Sequence, residues 1–447
     1  MTKRYIRAVA AIAVPVCLAS APVAAADKQE LQKILQEVQL LKKSYEDRIA
    51  TLENKLRGLE QKKVSSNKAA TPDSSSRSIK GNSFNPSIGL ILNGRASSFS
   101  EKTSEISGFG VGEEGERGKE GLSIGESELN FSANVDDKFY ASSTVAIVQE
   151  DGSDKIELEE AYIQTLPDAG LPDGLRLKAG RALWTLGYLN EHHSHADDFA
   201  DRPLPYRVFL NKSFNDDGVE FSYVVPADTY IEFGGGVFRG DDFPAGGSAS
   251  GLGAWSAFAR VGGDIGDNHA LRLGAYTLHT DVNSRATNEG AVTFAGKSNI
   301  YAADLRYTWA PTGNPKDKEL ILQSEFFHRD EDGIYNDTGA TTGNVNFDGS
   351  SQGWYAQAVY KFAPSWRVGA RYSQLLAADT PAGLVGSALD SAGHDPNTVS
   401  VMGDWTNSEF GRVRVQYNRE ELSNGKEDNQ FILQYIMSIG AHGAHAF

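Results

Sequence analysis

The stretch Gly353–Tyr372, GWYAQAVYKFAPSWRVGARY, decides the fold. Trp354, Ala356, Ala358, Tyr360 and Phe362 alternate with Tyr355, Gln357, Val359 and Lys361, the period of two of a strand with one apolar face. Ala363-Pro364-Ser365 reads as a tight turn. On the return leg Trp366, Val368, Ala370 and Tyr372 share one face, and Arg367, Gly369 and Arg371 the other. The hairpin therefore has a greasy side and a cationic side. Trp354 to Phe362 spans roughly 26 Å of strand, close to the apolar band about 25 Å tall that membrane barrels carry between two aromatic girdles. One hairpin of a soluble sandwich would alternate in the same way, so the rest of the chain must discriminate.

Composition narrows the classes. The chain has 447 residues and a formal charge of −16, and its 46 Gly against 3 Met suit strands and turns better than a large helical protein. Its only long apolar run lies near the N-terminus, so helical membrane spans are not expected in the mature protein. An acidic chain repels nucleic acid and attracts cations. The single cysteine, Cys17, leaves no disulfide to expect.

Residues 1–26 have the form of a secretory signal: Lys3, Arg4 and Arg7, an apolar run from Ala8 to Leu18, then Ala24-Ala25-Ala26. Residues 27–63 carry a heptad, with Leu35, Lys42, Ile49 and Leu56 at a and Leu31, Val38, Tyr45, Leu52 and Leu59 at d. Ile34 and Leu41 at g widen the stripe and favour three helices over two. A periplasmic coiled coil joining a homotrimer is the expectation, with an amphipathic helix lying on its own barrel as the other reading. Residues 64–83, rich in Ser, Lys, Thr and Pro, form a polar linker.

From 84 to 447 the pattern predicts an all-β, transmembrane antiparallel barrel of about 16 strands, an even number as bacterial barrels have. The connections sort by length. Asp136-Asp137, Pro226–Asp228, Ile265–Asn268, Ala363–Ser365 and Asn407–Phe410 are short, whereas Ser100–Gly121, Thr185–Asp217, Asp281–Ser298, Asp330–Gln352 and Ala377–Asn397 are long. With the coiled coil in the periplasm, the long ones fall on the outer side, where Glu150–Asp154 and Leu422–Asp428 are two short exceptions. A soluble sandwich has no reason to sort its loops. The C-terminal FILQYIMSIGAHGAHAF, ending in Phe447, has the form of the terminal strand that outer-membrane proteins use for assembly.

With apolar residues facing lipid, the opposite parity lines a lumen: Glu126, Glu128, Asn130 and Asn134, then Arg176, Lys178, Glu220, Glu232, Asp304 and Arg306. Gln357, Lys361, Arg367, Arg371, Arg412, Arg414 and Gln416 continue it. So many charges imply water inside, with acidic residues on early strands and Arg on late ones imposing a transverse field. No Ser/His/acid constellation stands out on the strands, so no catalytic residues and no enzyme activity are expected.

The longest connection, Thr185–Asp217, holds the same place as the loop that folds into the lumen of trimeric general porins. Three of the chain's 9 His fall within it, His192, His193 and His195, followed by Asp197 and Asp198. Imidazoles and carboxylates in a flexible segment are the ligands of Zn²⁺ and similar metals, so these five residues are a candidate metal loop, beside the simpler reading of a polar loop without metal.

The span from FNPSIGLILNGR through GESELNFSANVDDKFY, LEEAYIQTL, LNEHHSHADDFADRPLPYR and GDDFPAGG to GAHGAHAF resembles a family of proteobacterial outer-membrane proteins described as zinc-regulated outer-membrane receptors or porins. More distantly, LKAGR and NDDGVEFSY resemble the phosphate-selective porin O and P superfamily. The first resemblance implies an outer-membrane barrel and a link to zinc. The expected function is a porin passing small hydrophilic solutes or ions through a water-filled channel, with outer-membrane lipid and two further copies as partners. Two other readings compete: a zinc uptake channel using the His/Asp loop, and a structural tether between outer membrane and cell wall.

Overall fold

The computed structural model describes residues 86–150, 153–247 and 251–440. The signal, coiled coil and linker expected over 1–83 lie outside these residues, as do His442, His445 and Phe447.

The chain runs through β1 Ser87–Phe99, β2 Gly121–Ile124, β3 Ser127–Asn134, β4 Phe139–Glu150, β5 Ser153–Thr165, β6 Leu175–Leu183, β7 Asn215–Val224, β8 Tyr230–Phe238 and β9 Ala254–Ile265. It continues through β10 His269–Thr287, β11 Val292–Trp309, β12 Glu319–Asp337, β13 Asn344–Ala363, β14 Trp366–Leu376, β15 Asn397–Ser408, β16 Gly411–Ser423 and β17 Lys426–Gly440. β2 and β3 both pair with β1 and are two halves of one stave, so the seventeen segments make a 16-strand sheet. All pairings are antiparallel, and β17 closes onto β1 in an unbroken register from Gly89↔Gly440 to Phe99↔Gln430. Closure leaves no edge strand with unpaired backbone groups, each of which would cost several kcal/mol in hydrocarbon.

The faces are sorted against the rule for a soluble domain. On β17, Phe431, Leu433 and Tyr435 are exposed while Gln430 and Gln434 are buried. The opening hairpin behaves alike: Tyr360, Phe362, Trp366 and Val368 point out, Gln357 and Arg371 in. Its turn reduces to Pro364-Ser365, with Ala363 pairing Trp366 across a bulge. Exposed Trp309, Phe362, Trp366 and Trp405 ring the short-turn end, with Trp366 and Trp405 stacked at 6.1 Å. Trp255, Tyr301 and Phe326 make a second belt nearer the long loops. An apolar band between aromatic belts, around a charged interior, suits lipid outside and water inside.

Two expectations are corrected. The segments Asp281–Ser298 and Asp330–Gln352 are not long loops but continuations of β10 to β13, joined by turns at 288–291 and 338–343. Beyond the lipid band water bathes the outer face, so these strands need no apolar stripe there and escape a search for one. Their inward Val282, Val292, Phe294 and Tyr335 instead pack on Leu384 and Leu389 of the β14–β15 connection. The lumen is also less uniformly polar than its parity suggested, because Phe258, Tyr276, Leu278, Ile300, Phe327, Tyr355 and Leu375 face inward into an apolar cluster. What they pack against is the longest loop.

Candidate functional site

The β6–β7 connection, residues 184–214, turns into the barrel and fills one side of it. Trp184, Leu189, Tyr206, Phe209 and Phe214 are buried in the cluster with Phe327, Tyr355 and Leu375 of the wall. Pro203 and Pro205 preset the backbone for a short helix, α1 Leu204–Phe209, which lies against β12, β13 and β14. Asn190 clips the loop's two ends together: its side-chain amide donates to Trp184 O at 2.7 Å and Phe214 O at 3.0 Å, and its Oδ1 accepts from Phe214 N at 2.6 Å. Glu325 on β12 holds the neck, accepting from Tyr188 N, Leu189 N, Tyr206 Oη and Tyr355 Oη at 2.6–3.2 Å. Gly187, at φ +81, is required here, since a Cβ would overlap that carboxylate.

The loop's charges meet opposite charges around the wall. Glu191 pairs with Arg260 and, at 3.1 Å, with Arg272. Asp198 receives Arg367 at 2.8 Å, and Asp201 receives Arg371 at 2.6 Å and Gln416 at 2.7 Å. Arg412 donates to His195 O at 2.6 Å and Arg414 to Asp197 O at 2.8 Å. On the opposite side the loop offers cations and imidazoles to carboxylates: Lys212 reaches Glu126 at 2.6 Å, His193 Nε2 lies 2.9 Å from Glu160, and His195 Nδ1 lies 2.6 Å from Glu128. The run HHSHADDFAD thus has a half for the acidic wall of β3 and β5 and a half for the arginine wall of β14 and β16.

The five residues proposed from sequence as a metal loop are therefore divided. His193 and His195 stack at 5.8 Å on the acidic side, whereas His192 turns its Nδ1 to Tyr188 O at 3.0 Å. Asp197 is paired with Arg202 at 2.7 Å, and Asp198 with Arg367. Burial lowers the pKa of the His192 imidazole. Burial would do the same to His193, but Glu128, Glu159 and Glu160 outweigh it and hold that ring well above its usual range. Burial likewise opposes ionisation of Asp201, yet Arg371 and Gln416 keep it below the ordinary carboxylate range.

Most of the remaining lumen positions named from sequence take structural partners, whereas Asn134 is exposed. Glu220 accepts from Thr185 N at 3.1 Å and Thr185 Oγ1 at 2.9 Å. Glu232 meets Arg260 at 3.2 Å and Arg176 at 3.8 Å. Lys178 lies over the Tyr162 ring at 4.3 Å, and Arg306 over Tyr188 at 4.5 Å. Asp304 faces Arg272 at 3.4 Å, Arg414 binds Asp404 at 2.8 Å, and Lys361 stays half-buried near the Pro364-Ser365 turn.

Water-accessible space survives beside the acidic wall. A cavity of about 420 Å³ on the long-loop side is lined by Glu114, Glu126, Glu157, Glu159, Lys212 and Asp242 among others. A second of about 210 Å³ toward the short turns is lined by Glu128, Tyr140, Glu160, Gln164, Arg176 and Glu220 among others. Only His193 and Leu183 line both.

Sequence reading missed Glu159 and Glu160, which strict alternation would send to opposite faces. A bulge on β5 lets Thr144 pair with Glu160 and Val145 with Leu158, so Glu159 is skipped and both glutamates turn inward. Glu325, Asn190 and Lys212 carried no sequence signal, since their roles need partners far away in the chain.

No protein-family model matches the chain. An uncharacterized protein of Aquifex aeolicus (strain VF5) is 29% identical over 394 residues, covering 81% of this chain and 80% of its own. Among solved structures, the chain is similar to the anion-selective porin from Comamonas acidovorans (10% identity, 79% of this chain, 99% of that one, TM-score 0.49). It is likewise similar to the outer membrane channel DcaP of Acinetobacter baumannii (13%, 79% and 97%, 0.48) and to Salmonella typhi OmpF in complex with daunomycin (12%, 79% and 97%, 0.49). The barrel assignment rests on the chain's own strand pairing and face sorting.

Proposed function

We propose that the chain is an outer-membrane channel through which small hydrophilic solutes or ions diffuse passively, along the acidic side of a lumen narrowed by the 184–214 loop. One observation carries the reading: apolar residues face out between aromatic belts, while the charged interior keeps cavities of about 420 and 210 Å³ beside His193. Carboxylates exceed cations along both cavities, so the passage favours cations. Its expected place is the bacterial outer membrane, long loops outward, as a trimer joined by the 27–63 coiled coil.

Purified protein reconstituted into planar bilayers should give ohmic steps, and a salt gradient should give a reversal potential of cation-selective sign. A barrel that inserts without conducting would overturn the channel and favour a purely structural anchor. Cross-linking should trap three chains, and removal of 27–63 should reduce that yield.

A further inference from the structure

Beyond conduction, we propose that His193, Glu128 and Glu159, with Glu126 as a fourth donor, form a binding site for a divalent first-row transition metal where the two cavities meet. These four residues each turn a ligand atom toward a common point, all within 4.8 Å of one another. His193 Nδ1 lies 3.4 Å from Glu128 Oε2 and 3.4 Å from Glu159 Oε2. A tetrahedral ion with bonds of about 2.0–2.2 Å sets its ligand atoms roughly 3.3–3.6 Å apart, so these two separations match neighbouring ligand atoms, and the wider set would close by small side-chain shifts. One imidazole and three carboxylates suit Zn²⁺ and its neighbours better than an all-oxygen cage would.

The surroundings supply an independent observation. His193 is buried, and its other ring nitrogen, Nε2, lies 2.9 Å from Glu160 Oε2. A metal-binding histidine is commonly fixed by this carboxylate contact, which keeps a proton on Nε2, so that an ion displacing the Nδ1 proton would meet that nitrogen already aimed at the site. Glu128 is oriented in the same manner, because its other oxygen meets His195 Nδ1 at 2.6 Å. Glu159 Oε2 is sealed from solvent and takes no hydrogen bond. It reaches this place only through the β5 bulge, a device that re-aims a side chain at the expense of regular pairing. Glu126 Oε2 is already held by Lys212 at 2.6 Å and Ser194 Oγ at 3.0 Å, so Glu126 is the weakest of the four donors and His193, Glu128 and Glu159 carry the site.

The ligands join the loop to two wall strands, His193 to β3 through Glu128, with Glu126 in the break just before that strand, and to β5 through Glu159. A bound ion would tie the loop to the wall beside His193, which lines both cavities.

Binding is measured on tag-free, detergent-solubilised barrel, apart from any conductance, with Zn²⁺ by calorimetry and Co²⁺ by its visible absorption. The expected result is one saturable ion per chain with the absorption of a tetrahedral nitrogen and oxygen site. His193→Gln and Glu159→Gln should each weaken binding at least tenfold, and Glu160→Gln by about 10–100-fold through the orientation of the ring. His192→Gln should bind as the parent does. Folding of each variant is checked by the shift in gel migration on heating; if His193→Gln fails to fold, Glu159→Gln decides. No saturable binding in the parent overturns the site. So does binding indifferent to Glu159→Gln, or lost equally with His192→Gln, which would return the metal to the loop motif alone. Non-conducting protein that still binds one ion would sink the channel and leave the site standing.

Discussion

The arginine wall and the acidic wall of this barrel carry comparable numbers of charges and end in opposite states. On β14 to β16, Arg367 and Arg371 each meet a loop aspartate, Asp404 is shared by Arg414 and Arg367, and Arg412 donates to a loop carbonyl, so the arginines are held by fixed partners. Apolar Phe199 packs there with Ile321, Val359 and Met402. On the acidic wall, Glu126 just before β3, Glu128 on β3, and Glu159 and Glu160 on β5 face one ammonium and two imidazoles, and open space remains on either side. Matched charges let a loop settle against a wall. An excess of one sign keeps water, and with it a route for cations.

Unseating the loop should break this contrast most. Glu325→Leu leaves two backbone amides and two tyrosine hydroxyls without their acceptor, at about 1–3 kcal/mol for each buried group that finds no other. Single-channel conductance should rise sharply, and trypsin should gain access to Arg202 and Arg207. An unchanged conductance would mean that the loop is not the constriction. The next effect in size comes from Asp198→Asn with Asp201→Asn, which removes two charge-assisted pairs at about 1.5–3 kcal/mol each. Arg371 then loses its carboxylate and Arg367 keeps only Asp404, which it shares with Arg414, so the reversal potential should move toward anions.

Neutralising the other wall tests the contrast without dislodging the loop. Glu157→Gln, on the rim of the larger cavity, should lower cation preference modestly while the folded barrel keeps its gel mobility. Smallest of all is His192→Gln, which removes a hydrogen bond to Tyr188 O, worth about 1 kcal/mol, and a ring contact with Tyr188 at 4.8 Å, and should leave conductance and selectivity unchanged. A large effect there would mean that all three loop histidines act together.

The sequence alone determined the alternating strands and most of their facing, but two of the five connections it marked as long are extensions of β10 to β13. Trp354 to Phe362 and Phe431 to Tyr435 show why: a period of two is a local property, repeated in every stave, and lipid demands it on one face. It also marked the 184–214 loop as too long for a connection and its His/Asp run as chemically unusual. Only the tertiary structure divided that run between two walls, chose His193 over His192 for the acidic one, and used a bulge to bring Glu159 beside it. Those outcomes depend on which charges lie opposite one another across a closed cylinder. Partners such as Tyr188 and Glu325, or Asp198 and Arg367, are far apart in the chain, and no local pattern encodes their meeting.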